Sequence, residues 1–283
     1  MIELTAAKYP PQPVDVGGNA LAYRTFGPDS GVPLLLCQRF RGTMDHWDPL
    51  LISVLAGQRR VVAFDNVGVG RSSGVAPARI ADMAADALAL VGRLGFEQVD
   101  LLGWSMGGCV AQRMALQAPE VVRRLVLAGT TPGGVADAPA APAKVWEVAG
   151  KPVNDDEDFL YLFFHDSDAS IDAGRAHLQR LTAWSAADAA PVAPASVGAQ
   201  VQAISAWGSG ADGVLAELGR IGQPTLVANG VHDRMVHAYN SYVLAQELPD
   251  ADLVLYADAG HGFAFQHPER FGSHVVDFLT QPR

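Results

Sequence analysis

Short, uninterrupted apolar runs alternate with amphipathic stretches along much of this chain. Leu34-Leu35-Leu36-Cys37 and Val61-Val62-Ala63-Phe64 contain no polar position, the pattern of strands covered on both faces of a sheet. Residues 47–55 between them carry apolar side chains at helical spacing, and residues 80–94 do so again before Gly95, a glycine placed to end a helix. A strand at 99–102, a helix from Met106 to Ala115 and a strand at 124–128 follow. Such alternation predicts an α/β protein, with a mostly parallel β-sheet flanked by helices. The N-terminal part differs. Val14-Asp15-Val16, a Gly17-Gly18-Asn19 turn and Leu21-Ala22-Tyr23-Arg24-Thr25 predict a β-hairpin.

The alternation breaks after residue 131. Pro132-Gly133-Gly134 and the Ala/Pro-rich stretch 136–143 form a connector. A helical region over 145–218 follows, carrying Phe159, Tyr161, Phe163, Phe164, Trp184 and Trp207 and interrupted by Pro191 and Pro194. Strands and helices then resume at 225–228, 239–248, 253–256 and 268–279. The expected organisation is a core of residues 1–134 and 220–283, with a helical lid at 135–219 and no internal repeat.

Composition narrows the class. With 283 residues, 49% apolar and 18% charged, the chain is long enough for one large α/β domain with an insertion. A net charge of −10 leaves no basic stripe to displace counterions from phosphates, which argues against nucleic acid as a partner. It also disfavours an anionic membrane surface. The two cysteines, Cys37 and Cys109, fall inside a predicted strand and a predicted helix, as buried thiols do, and suggest neither a disulfide framework nor a zinc site. Residues 1–5 lack a basic region followed by an apolar run, and no apolar stretch is long enough to span a bilayer. A soluble, cytoplasmic protein acting on a small molecule is the expectation; oligomeric state is left open.

The densest chemistry lies at Gly103-Trp104-Ser105-Met106-Gly107. A five-residue match arises by chance in a chain with 29 glycines, as an ordinary Gly-Ser turn. Here, however, a predicted strand precedes it and a helix follows, the context of a nucleophile elbow. A serine hydroxyl is a weak nucleophile at neutral pH, so it needs a base and a carboxylate to orient that base. Of eight histidines, His261 in Ala259-Gly260-His261-Gly262 follows the last predicted strand, where strand ends converge with the elbow. His46, His177, His267 and His274 fall in or at the start of predicted helices, as surface or capping residues; His232 and His237 are rivals in a neighbouring loop. Asp233, in the loop after the preceding strand, is placed to orient His261. The strand after the elbow helix leads into Gly129-Thr130-Thr131-Pro132, which offers no competing carboxylate.

Ser105, Asp233 and His261 occur in the chain order of an α/β hydrolase, and the sequence resembles that superfamily from the N-terminal hairpin to the last helix. Within it the chain is similar to lidded, cofactor-free esterases and haloperoxidase-like perhydrolases. The resemblance implies no cofactor and no metal. It also implies an oxyanion hole built from the backbone N–H groups of Met106 and Phe40. Relatives place a His-Gly pair before the second donor, where this chain has Gln38-Arg39. Arg39 in place of glycine demands a backbone that tolerates a Cβ, and its side chain either faces solvent or enters the pocket and favours an acidic substrate. Arg39 and Trp104 are the expected substrate contacts.

Two other motifs read as structural. Asp65-Asn66-Val67-Gly68-Val69-Gly70-Arg71-Ser72-Ser73 has a serine where a dinucleotide loop needs its third glycine. Asp155-Asp156-Glu157-Asp158 is an acidic helix start rather than a cation site. The expected function is a serine hydrolase cleaving a small carboxylic ester or lactone through an acyl-enzyme. Perhydrolysis by the same triad, carbon–carbon bond hydrolysis, and a ligand-binding protein on the same fold are the alternatives.

Overall fold

The structure, a computed structural model, describes residues 4–184 and 192–281; Pro191, expected as a helix interruption, lies outside them. In chain order the elements are β1 (Gln12–Val16), β2 (Asn19–Phe26), β3 (Leu34–Cys37), α1 (Pro49–Ala56), β4 (Val61–Phe64), α2 (Ile80–Arg93), β5 (Val99–Trp104), α3 (Met106–Gln117) and β6 (Val122–Ala128). After β6 come α4 (Ala143–Ala149), α5 (Asp156–Phe163), α6 (Asp168–Trp184) and α7 (Pro194–Gly208). The chain then returns through β7 (Thr225–Gly230), α8 (Tyr239–Glu247), β8 (Ala251–Tyr256), α9 (Phe263–Gln266) and α10 (Pro268–Thr280).

One eight-stranded sheet runs in the order β1-β2-β4-β3-β5-β6-β7-β8. The hairpin β1–β2 pairs antiparallel and adds antiparallel to β4; every other pair is parallel. Alternation within the apolar strands divides the core. Leu34, Leu36, Val61 and Ala63 face a layer with α1, α10 and the inserted helices, while Leu35, Cys37, Val62 and Phe64 face α2, α3 and α8. All eight residues are at most 2% exposed, which explains why neither strand contains a polar position: each side chain has a dry face to cover, worth about 1.5–3 kcal/mol for a large apolar residue.

The insertion between β6 and β7 is fastened to the core by buried polar contacts. Asp48 caps α1, accepting from the Leu50 N–H at 2.8 Å. Its carboxylate also receives His177 Nδ1 at 2.6 Å and Arg180 Nη2 at 2.5 Å, both from α6. Burial opposes the charge on Asp48, but the bonds from His177 and Arg180 hold its carboxyl below the usual range. His177 is therefore fully buried, not the surface or capping residue its helical position suggested. Its partner lies 129 residues away, a distance no local pattern encodes.

A second fastening comes from Arg41, whose guanidinium donates to the carbonyls of Ala149, Lys151 and Pro152 and to Asn154 Oδ1 at 2.7–3.2 Å. Its backbone N–H donates to Gln200 Oε1 on α7 at 2.9 Å. A single residue in the loop after β3 thus holds two segments of the insertion.

Candidate active site

The elbow is a backbone device. Ser105 sits between β5 and α3 with φ 58° and ψ −122°, a conformation that costs a non-glycine residue about 1–3 kcal/mol. Three bonds hold it there: Ser105 N–H to Ala128 O, Gly108 N–H to Ser105 O, and Thr130 Oγ1–H to Ser105 O at 2.8 Å. Both flanking glycines are sterically required. A Cβ at Gly103 would lie 2.3 Å from Gly107 O, and one at Gly107 would lie 2.0 Å from Cys37 O. Strand, nucleophile and helix consequently pack backbone against backbone.

His261 follows β8 and is 1% exposed. Its Nδ1 lies 2.7 Å from Asp233 Oδ2. The other oxygen of Asp233 accepts the N–H groups of Met235 and Val236, each at 2.8 Å. A carboxylate held that way is an acceptor, so Nδ1 carries the ring proton and Nε2 is left as a free base. Nε2 is buried and has no hydrogen-bond partner. The ring is packed against Trp104 and Phe163, with centroids at 5.5 and 5.6 Å. Gly129 after β6 brushes the same ring, since a Cβ there would lie 3.2 Å from Cε1 and Nδ1.

Ser105 and His261 open into one cavity of about 450 Å³, lined from the core by Arg39, Phe40, His46 and Met235 and from the insertion by Phe159, Phe163 and Leu178 among others. Met106 is the first residue of α3, so its N–H has no intrahelical partner. Phe40 stands in the loop after β3. That loop is braced by Gln38, which accepts the Arg39 N–H at 2.8 Å and donates to Thr43 O at 2.9 Å. The strained backbone position is not Arg39 but Arg41, with φ 56°; among the described residues only Ser105 and Arg41 take positive φ without being glycine. The Cβ of Arg39 meets no penalty because the turn is made two residues later.

The side chain of Arg39 lines the cavity rather than reaching bulk solvent. Its guanidinium lies 5.1 Å from the centre of the Phe163 ring and 5.7 Å from that of Trp104, and Nη1 donates to Phe40 O at 2.7 Å. Burial, with help from the charge on Arg41, lowers its pKa to about 10, which leaves it charged at neutral pH. Trp104 does not touch the cavity. The alternation of β5 turns it under the sheet's apolar layer, where it is fully buried and donates from Nε1 to His261 O at 3.1 Å. It supports the histidine from behind instead of meeting substrate.

His46 was overlooked as a site residue. It lines the cavity, and its Nδ1 accepts the Thr43 N–H at 2.9 Å. Burial and the neighbouring charge of Arg39 push its pKa down to about 3, so it is a neutral imidazole with an N–H at Nε2. The three-residue spacing from Thr43 to His46 was the available signal, since it forms a capping box. Of the rivals to His261, His232 stacks on His165 at 3.9 Å.

The motifs read as structural are used structurally. Asp65 accepts the N–H groups of Met44 and Arg71, and Asp155 caps α5 through Asp158. Among the described residues no group of three metal-ligating side chains is assembled, and no helix is long and apolar enough to cross a membrane. Burial pushes the thiols of Cys37 and Cys109 up to about 12, which keeps them protonated and inert.

The strand order and the helices that flank the sheet define an α/β class, and comparison with known proteins gives its family. The alpha/beta hydrolase fold family matches residues 32–268, and the chain belongs to that family. An alpha/beta hydrolase fold protein from Chitinophaga pinensis is 38% identical, with TM-score 0.90 over 99% of this chain and 100% of that one. A putative carbamate hydrolase RutD from Variovorax paradoxus (strain S110) is 29% identical over 92% of this chain and 96% of its own length. A 2-hydroxymuconate semialdehyde hydrolase from Pseudomonas sp. (strain CF600) is 30% identical over 93% and 92%.

Proposed function

We propose that this protein is a serine hydrolase that cleaves a small carboxylic ester or lactone through an acyl-enzyme. One observation carries the reading: the buried His261–Asp233 pair leaves Nε2 bare in the same cavity as the strained Ser105. A buried base without a partner is costly for a fold to keep, and its natural partner is a serine hydroxyl beside a substrate.

Ser105 Oγ bonds to the carbonyl carbon while its proton passes to His261 Nε2. Asp233 stabilises the imidazolium, and the N–H groups of Met106 and Phe40 take the developing negative charge on the carbonyl oxygen. The carbon–oxygen bond to the leaving alcohol then breaks, and the alcohol departs with the proton from Nε2. Water, deprotonated by the same nitrogen, releases the acid and restores Ser105. The inserted helices act as the lid of the cavity. The names of the relatives, a carbamate hydrolase and a hydrolase of a semialdehyde, extend the panel worth testing without changing the catalytic groups.

The test is turnover of short-chain aryl esters, lactones and aryl carbamates, each with and without hydrogen peroxide. Ester or lactone hydrolysis that falls by several orders of magnitude in Ser105→Ala is the expected result. Turnover that needs peroxide would move the assignment to perhydrolysis. Equal rates for wild type and Ser105→Ala would overturn the reading.

A further inference from the structure

We propose that Arg39 forms an anion subsite inside the catalytic cavity and that the substrate carries a free carboxylate besides the bond that is cleaved. This rests on the hydrolase reading above and names its substrate class.

Arg39 is a cation without a counter-charge. Elsewhere the buried arginines Arg24 and Arg59 are paired with Asp45 and Asp100 at 3.0 and 2.9 Å. Among the described residues no carboxylate lies within 4.0 Å of the Arg39 guanidinium. Its one side-chain hydrogen bond goes to Phe40 O, and its Nε is buried with no partner at all. The rings of Phe163, Trp104 and Phe159 surround the group at 5.1–5.8 Å. They cover part of the group and leave the rest to the cavity. A planar fork of N–H donors is matched by the two oxygens of a carboxylate.

Arg41, Asp155 and Asp156 line the cavity as well. The guanidinium of Arg41 is taken up by carbonyl and amide oxygens of the α4–α5 connector, which leaves Arg39 as the cation whose donors are open to a guest. His46 adds a neutral donor to the same wall, close enough to Arg39 to be influenced by its charge. Arg39 also sits next to Phe40, a proposed oxyanion donor. An anchored carboxylate would therefore fix the scissile carbonyl relative to Ser105 rather than merely retain the molecule.

The test compares 4-nitrophenyl hydrogen glutarate with its methyl-capped neutral counterpart, 4-nitrophenyl methyl glutarate. Wild type should prefer the charged ester in kcat/KM. Arg39→Gln should lower the charged-to-neutral ratio by roughly tenfold or more, the scale of one hydrogen bond to a charged group, and Arg39→Lys should restore part of it. Binding is read without turnover by calorimetric titration of monomethyl glutarate into Ser105→Ala. Adding Arg39→Gln should weaken Kd by roughly the same factor. If neither ester is hydrolysed, the hydrolase reading fails while the titration still judges Arg39. A wild-type preference for the neutral ester, or a ratio and a Kd that Arg39→Gln leaves unchanged, overturns the subsite.

Discussion

Replacing Arg41 separates two things that one residue does. Its guanidinium holds the α4–α5 connector through four acceptors, of which Ala149 O and Asn154 Oδ1 lie in partly buried surroundings and Lys151 O and Pro152 O are exposed. Exposed bonds contribute little, whereas each buried bond to a charged donor is worth about 1.5–3 kcal/mol. Two such bonds, discounted because both are only partly buried, put the destabilisation by Arg41→Ala at about 2–4 kcal/mol. Arg41→Gly loses the same bonds but relieves the positive φ of 56°, which costs a residue with a Cβ about 1–2 kcal/mol. The glycine variant should therefore be the more stable of the two, by about 1 kcal/mol once its extra freedom in the unfolded chain is counted. Urea unfolding gives both numbers. On the proposed mechanism the same loop positions Phe40 N–H, so ester kinetics should show kcat falling more than KM rises in both variants. Arg41→Ala as stable as wild type, or Arg41→Gly less stable than Arg41→Ala, would refute this account of the tether.

The neutral His46, half-buried in the cavity wall, predicts an acid sensitivity with a defined sign. Its folded pKa, about 3, lies below the ordinary value near 6.5. The stability it contributes is thus present above pH 6.5 and is lost as pH falls toward 3. Between pH 7 and pH 5 wild type should lose about 1–2 kcal/mol from this group, seen as a lower urea midpoint, and His46→Gln should lose correspondingly less. Gly107→Ala, which places a Cβ 2.0 Å from the Cys37 carbonyl, should yield insoluble or unfolded protein by circular dichroism; a folded, soluble variant would contradict the close packing at the elbow. Asp233→Asn should retain fold but lose about 10⁴-fold in kcat, because an amide permits the wrong histidine tautomer; near-wild-type turnover would point to another carboxylate.

How far the sequence could be read depended on whether the determining contacts were local. The runs 34–37 and 61–64 coincide with β3 and β4 to the residue, because a strand buried on both faces must be apolar throughout. The placement of Ser105, His261 and Asp233 was legible because each follows a recognisable strand. Trp104 was misread since adjacency to the serine in sequence says nothing about which side of β5 it takes. His177 and Arg41 were missed as anchors because their partners lie more than 100 residues away. The strain at Arg41 was not foreseen, because only the path of the backbone shows which residue of the loop after β3 takes the positive φ.

The central claim is that Ser105 is the nucleophile, and covalent labelling tests it most directly. A fluorophosphonate should add one phosphonyl group to the native protein, and peptide mapping by mass spectrometry should find it on Ser105. Labelling should vanish in Ser105→Ala and slow markedly in His261→Ala, with fold retained in both. An adduct on a different residue, or undiminished labelling of Ser105→Ala, would contradict the account.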